Sequence, residues 1–173
     1  MAEKAGQGMT SESMEYTSRS LADTERLGKL IGKALEPGDV VGLVGDMGAG
    51  KTTLVRDIAR GAGIPDNIPV NSPTFTILNL YDTTHLRIAH LDLYRLIDPT
   101  DLEAIGIDDL MSIDAAFVVE WFDLFPSALG NDSLIINIIG LDEHSRRFEF
   151  RATGAAGREL LNELSKTLLP GAP

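Results

Sequence analysis

Gly45-Asp46-Met47-Gly48-Ala49-Gly50-Lys51-Thr52 reads G-x-x-x-x-G-K-T, the pattern of a phosphate-binding loop. Each position has a physical task. The glycines allow a backbone turn in which successive N–H groups point into one hollow and hold phosphate oxygens. The helix expected next brings the positive end of its dipole to the same anion. Lys51 is spaced to bridge the β- and γ-phosphates, and the Thr52 hydroxyl to sit on a magnesium ion.

Immediately before the loop, Gly38-Asp39-Val40-Val41-Gly42-Leu43-Val44 is a short apolar run that predicts a buried strand. After it, Leu54, Ile58 and Ala59 fall near helical spacing, and Gly61 and Gly63 mark the helix end. Strand, loop and helix in that order is the context the motif requires. Further upstream, Ser20 and Asp23 match a helix-start pattern. Leu27, Leu30, Ile31 and Ala34 recur at helical spacing and Pro37-Gly38 ends the helix, which should pack on the sheet beside the phosphate loop. Residues 1–18 are polar and rich in glycine, serine and glutamate, and read as a disordered tail ahead of a single domain, 19–170.

Downstream, Pro65, Pro69 and Pro73 exclude helix and central strand, so Ile64 to Pro73 is a loop. Thr74–Tyr81 and Leu86–Leu93 read as a hairpin turning at Asp82-Thr83-Thr84. Pro99 to Leu110 holds short helical pieces broken at Gly106, and Ala115–Trp121 is a buried strand carrying Glu120. Ser133–Gly140 and Arg147–Ala152 form a second hairpin. Ala155–Leu169 is a final helix with Leu160, Leu161, Leu164 and Leu168 on one face, stopped by Pro170. These elements predict an α/β, P-loop NTPase-like three-layer fold, with a mixed parallel and antiparallel sheet flanked by helices.

At 173 residues the chain suits one globular core. It has no apolar run long enough to span a bilayer and no signal-peptide pattern at its N-terminus, so the expected location is the cytoplasm. It has no cysteine, hence no thiolate nucleophile or metal ligand. The net charge of −11 argues against a domain that grips bare DNA or RNA by itself. From Leu96 to Ser145 there is no lysine or arginine, which makes either a solvated acidic face or a docking face for a basic partner protein.

Hydrolysis needs more than a phosphate loop. An acid must complete the magnesium shell, and some group must position water. Asp92 and Glu120 lie near strand ends, where the sites of open α/β sheets gather. Glu120 fits best, because its strand is apolar and should end beside the loop; for Asp92 the alternative is a hydrogen-bonded structural acid or a helix cap. Thr74 and Thr76 could reach the magnesium shell or the γ-phosphate, or be strand threonines chosen for β-propensity. His90 is a candidate general base, although a lone histidine on a strand is more often a packed one. Trp121, the one tryptophan, suits either core packing or stacking at the site. Arg95, Arg146 and Arg147 are the candidates for a cationic contact to phosphate, and Arg147 is assigned to the nucleotide.

Taken together, Gly45 to Thr53, Ser72-Pro73-Thr74-Phe75-Thr76, His90-Leu91-Asp92-Leu93-Tyr94-Arg95-Leu96 and Val119-Glu120-Trp121 resemble the TsaE (YjeE) family. That family supplies the small ATPase of bacterial tRNA threonylcarbamoyladenosine synthesis. The resemblance spans roughly residues 20 to 165, and the order of four motifs makes it specific. It implies ATP or ADP and Mg2+ as ligands, with Gly45, Gly48, Ala49, Gly50 and Thr53 on the phosphates beside Lys51. Thr52 and Glu120 would hold the metal, joined by Asp92, and Lys51, Asp92 and Glu120 would carry hydrolysis. Thr24 matches a threonine often found early in the family, and Ser72 to Thr76, with Thr74 on the nucleotide, resembles its mobile switch-like loop. The implied partners are TsaD and TsaB, with tRNA met only indirectly, and the implied role is to reset that complex between rounds. Met47 stands where leucine is usual, and Phe122-Asp123 follows Trp121 where proline is more usual.

Three other readings compete. A GTPase needs N/T-K-x-D, and none of the five lysines has an aspartate two residues on. A small-molecule kinase usually needs lid arginines, which the middle of the chain lacks. A nucleotide-sensing module would keep the loop and turn nothing over.

Overall fold

The computed structural model describes residues 12–127 and 129–169. Seven strands form one sheet: β1 (Ser13–Ser18), β2 (Val40–Val44), β3 (Leu78–Asp82), β4 (Arg87–Asp92), β5 (Ala116–Glu120), β6 (Ser133–Gly140) and β7 (Arg146–Thr153). Their spatial order is β1-β7-β6-β2-β5-β4-β3. The central four, β6-β2-β5-β4, are mutually parallel, and both edges are finished by antiparallel pairing.

Alternation along the strands builds a core on each face. On β5, Ala116 and Val118 join one cluster, while Phe117 and Val119 join the other. A strand buried on both sides reads as an unbroken apolar run, which is why it was legible without any polar face. The first cluster lies under α1 (Leu21–Ala34), α2 (Lys51–Gly61) and α5 (Gly154–Leu168). The second is covered by α3 (Pro99–Ala104), α4 (Ile107–Met111) and the 3-10 turn Phe122–Leu124. The three-layer expectation therefore holds, with the mixed sheet in the middle.

Ser20 caps α1 by accepting from Asp23 N at 3.1 Å. α1 lies directly along α2. A Cβ on Gly32 would run into the Ile58 carbonyl oxygen, and one on Gly61 into that of Lys29, so the two helix backbones touch where side chains are missing. This fixes the helix that follows the phosphate loop.

Two expectations are corrected. Residues 13–18 are not a disordered tail: they pair with β7 from Ser13↔Arg151 to Ser18↔Arg146, and Met14 is fully buried. The alternation of Met14, Tyr16 and Ser18 is the signal, masked by the polar residues between them. Thr74–Thr76 is not strand; it is a turn, and β3 begins only at Leu78, after Ile77 takes a left-handed φ of 67°. Residues 1–11 of the expected tail and the helix stop at Pro170 lie outside the described residues.

Candidate nucleotide site

The loop 45–50 leaves β2 between β5 and β6 and runs straight into α2. Gly45, Gly48 and Gly50 have φ of 148°, 80° and 109°, a region that side chains with a Cβ avoid. At Gly45 a Cβ would also come within 2.7 Å of the Ile138 carbonyl oxygen on β6. The α2 N-terminus at Gly50 has no side-chain cap, which suits an anion in that place.

Parallel register sets the acids. Leu43 of β2 pairs with Glu120 of β5, and Glu120 with Asp92 of β4, so both carboxylates sit in one row at the strand ends beside the loop. The hollow above them measures about 430 Å3 and is lined by Lys51, Thr52, Thr74, Asp92, Glu120 and Trp121, among others.

Lys51 is 5% exposed. Its Nζ donates to the Gly45 and Asp46 carbonyls at 2.6 and 2.9 Å and lies over the Trp121 ring. Burial pulls the ammonium below the ordinary lysine range, opposed by the charges of Glu120 and Asp92. Trp121 holds a left-handed φ of 59°, and its ring centroid is 4.9 Å from that of Tyr94. Trp121 lines the site, and Ile77, the other described non-glycine residue with positive φ, is tied to it through its carbonyl, which accepts from Asp92 N at 3.0 Å.

Thr52 Oγ1 donates to the Glu120 carboxylate, 2.8 and 3.0 Å from its two oxygens. Glu120 is 3% exposed and is also bonded by His90 Nε2 at 2.8 Å. Asp92 Oδ2 accepts from Ser72 Oγ at 2.6 Å and Thr74 Oγ1 at 2.7 Å, while Oδ1 accepts from Tyr94 N at 3.0 Å. The proline loop is thereby pinned to the end of β4. A hydroxyl and a carboxylate side by side are hard oxygen donors, the chemistry magnesium takes when phosphates and waters fill the rest of its shell. Among the described residues no group of three or more His, Asp or Glu could hold a metal ion.

The structure separates other candidates from the hollow. His90 has no exposed surface and does not line the hollow; its Nε2 is turned to Glu120. Arg147 turns away, with Nε 3.4 Å from Glu149 Oε1. Its neighbour Arg146 reaches the loop instead, donating from Nε to the Ala49 carbonyl at 3.2 Å. The two alternate on β7, and composition gave no way to choose the face. Thr24 does not line the hollow; its hydroxyl is 2.9 Å from Ser18 Oγ, and Ser18 pairs with Arg146 in the β1–β7 ladder. Arg95 lies over the exposed Phe75 ring, 4.8 Å from the centroid. Tyr94 was missed, although its place two residues beyond Asp92 was the available signal.

The chain is similar to known proteins along most of its length. The model of the family described as "Threonylcarbamoyl adenosine biosynthesis protein TsaE" matches residues 18–148. The TsaE of Bacillus subtilis (strain 168) is 38% identical over 144 residues, covering 83% of this chain and 89% of that protein. The TsaE of Treponema pallidum (strain Nichols) is 38% identical over 133 residues, covering 77% and 96%. The crystal structure of Bacillus subtilis YdiB superposes with a TM-score of 0.76 at 31% identity, covering 90% of this chain and 96% of that one. With its phosphate loop, its paired acids and a family match across most of its length, the chain belongs to the TsaE family.

Proposed function

We propose that this chain binds ATP with magnesium and hydrolyses it, as a cytoplasmic ATPase serving tRNA threonylcarbamoyladenosine synthesis with TsaD and TsaB. The observation that carries the reading is the meeting of Thr52 and Glu120: a loop hydroxyl and a strand-end carboxylate placed together at the mouth of α2. The loop amides and Lys51 would hold the phosphates, and Thr52 and Glu120 the magnesium, which when bound neutralises phosphate oxygens. Asp92 anchors Ser72 and Thr74 over the hollow, so the proline loop can answer to what the site contains. The acidic surface suits a role in which tRNA is met through partners, with hydrolysis resetting the complex between rounds.

The test is an ATPase assay of the chain alone, with TsaD and TsaB together, and with each omitted. Slow turnover alone and faster turnover with both partners is the expected pattern. Nucleotide binding with no turnover in any mixture would favour the sensing module, and turnover on a sugar or nucleoside acceptor without the partners would favour a kinase.

A further inference from the structure

His90 is a buried titratable group that the proposed reaction leaves without a task. It lies in the middle of β4, with no exposed surface. Its side chain shares a face of the sheet with Asp92 and, across the parallel register, with Val118 and Glu120. Nε2 sits 2.8 Å from Glu120 Oε1, and Nδ1 has no hydrogen-bond partner among the described residues. An imidazole with its proton on Nε2 donates to that carboxylate oxygen. The ring plane is tilted against Tyr81, with centroids 6.3 Å apart. A histidine kept for a core network would be expected to use both nitrogens. This one uses a single nitrogen, and spends it on the acid that faces the phosphate loop.

The geometry explains what that bond does. A carboxylate at 3% exposure is costly unless its oxygens are matched, and its side-chain torsions leave it several ways to point. The bond from beneath fixes Oε1 and holds the carboxylate plane toward Thr52 Oγ1, which lies within 3.0 Å of both oxygens. We infer that His90 is a positioning residue: by holding Glu120 against Thr52 from inside the sheet, it sets how tightly the nucleotide site takes a divalent cation. Partners behind a metal ligand typically govern affinity in this way, by about 10- to 100-fold. The inference rests on the reading of Thr52 and Glu120 as the magnesium residues.

The experiment measures the affinity of the full chain for a fluorescent ADP analogue in EDTA and in MgCl2, for wild type, His90→Leu, His90→Gln and His90→Asn. Glutamine places an amide near the Nε2 position, and asparagine near Nδ1, so the two differ in reach and not in polarity. The wild type is expected to bind more tightly with Mg2+. His90→Leu and His90→Asn should lose about ten-fold or more of that enhancement, with affinity in EDTA unchanged, and His90→Gln should keep it. If His90→Leu does not fold, as its melting curve will reveal, the glutamine and asparagine pair decides. Full Mg2+ enhancement in His90→Asn, or equal weakening in EDTA and Mg2+, overturns the role of His90 alone. A wild type indifferent to Mg2+ overturns the metal assignment and this inference with it.

Discussion

Lys51 Nζ lies 3.7 Å from the centroid of the Trp121 ring while its protons are directed to the Gly45 and Asp46 carbonyls of its own loop. The ammonium is thus held by one π face and two carbonyls inside a hollow shaped for phosphate. A phosphate entering the loop competes for the same protons. Because Trp121 is the one tryptophan of the chain, its emission reports that exchange directly. Titration with ADP is expected to change the emission, and Lys51→Ala to remove the response. An emission that stays constant while a separate assay registers bound ADP would break the link between the two residues.

Glu120→Gln tests the acid without disturbing its shape. Glutamine can still bond Thr52 and His90, but it carries no charge for a cation. Partner-stimulated hydrolysis should fall by about 100-fold or more, on the order of 3 kcal/mol. Affinity for nucleotide in EDTA should persist. Stimulated turnover at the wild-type rate would remove Glu120 from the mechanism.

The parts of this molecule that the sequence made legible are those where one local rule decides. The phosphate loop needs glycines at fixed spacing, and β5 is an apolar run ended by an acid, so both could be placed from spacing alone. What escaped was set by pairing across the fold. β1 is a strand because β7 offers it an edge, and the alternation of Met14, Tyr16 and Ser18 is too short and too polar to announce that edge by itself. Arg146 rather than Arg147 meets Ala49 because the β6–β7 hairpin fixes the phase of its alternation. The burial of His90, by contrast, agrees with the reading of a lone strand histidine as a packed one, since β4 is covered on both sides.

Met14→Ala measures how far β1 belongs to the fold. The side chain is 1% exposed in the larger core cluster. Its truncation is expected to lower stability by about 2–4 kcal/mol, read as a shift in the urea midpoint at constant slope. A midpoint indistinguishable from wild type would make the strand a dispensable addition to β7.

Ser72 and Thr74 both donate to one oxygen of Asp92, and the two hydroxyls are 2.7 Å from each other. The double change Ser72→Ala with Thr74→Val removes both ties but keeps the acid and its bond from Tyr94 N. Amide hydrogen exchange across Thr74 to Ile77 should speed up by more than exchange in α5, which reads the global cost of about 1–2 kcal/mol. Equal protection of that segment in variant and wild type would mean that the prolines, not Asp92, hold the loop.

Asp57 gives the chain a pH dependence whose sign can be worked out. It lies on α2 under α1, where a Cβ on Gly28 would clash with its own Cβ, and it is 4% exposed. Its ion-pair partner Arg60, at 3.1 Å, is itself half in solvent. Burial pushes the Asp57 carboxyl up, Glu25 adds to that, and Arg60 and Arg56 offset only part of it. A carboxyl raised in the folded state binds its proton more tightly there than in the unfolded chain. Its favourable contribution is therefore complete below the unfolded carboxylate range, near pH 4, and is lost as pH rises through the folded value. Asp57→Asn cannot ionise, so it should gain stability relative to wild type between about pH 3 and pH 7. Urea midpoints of both proteins across that range make the comparison. A variant that loses ground as pH rises would mean that the Arg60 pair outweighs the cost of burying the charge.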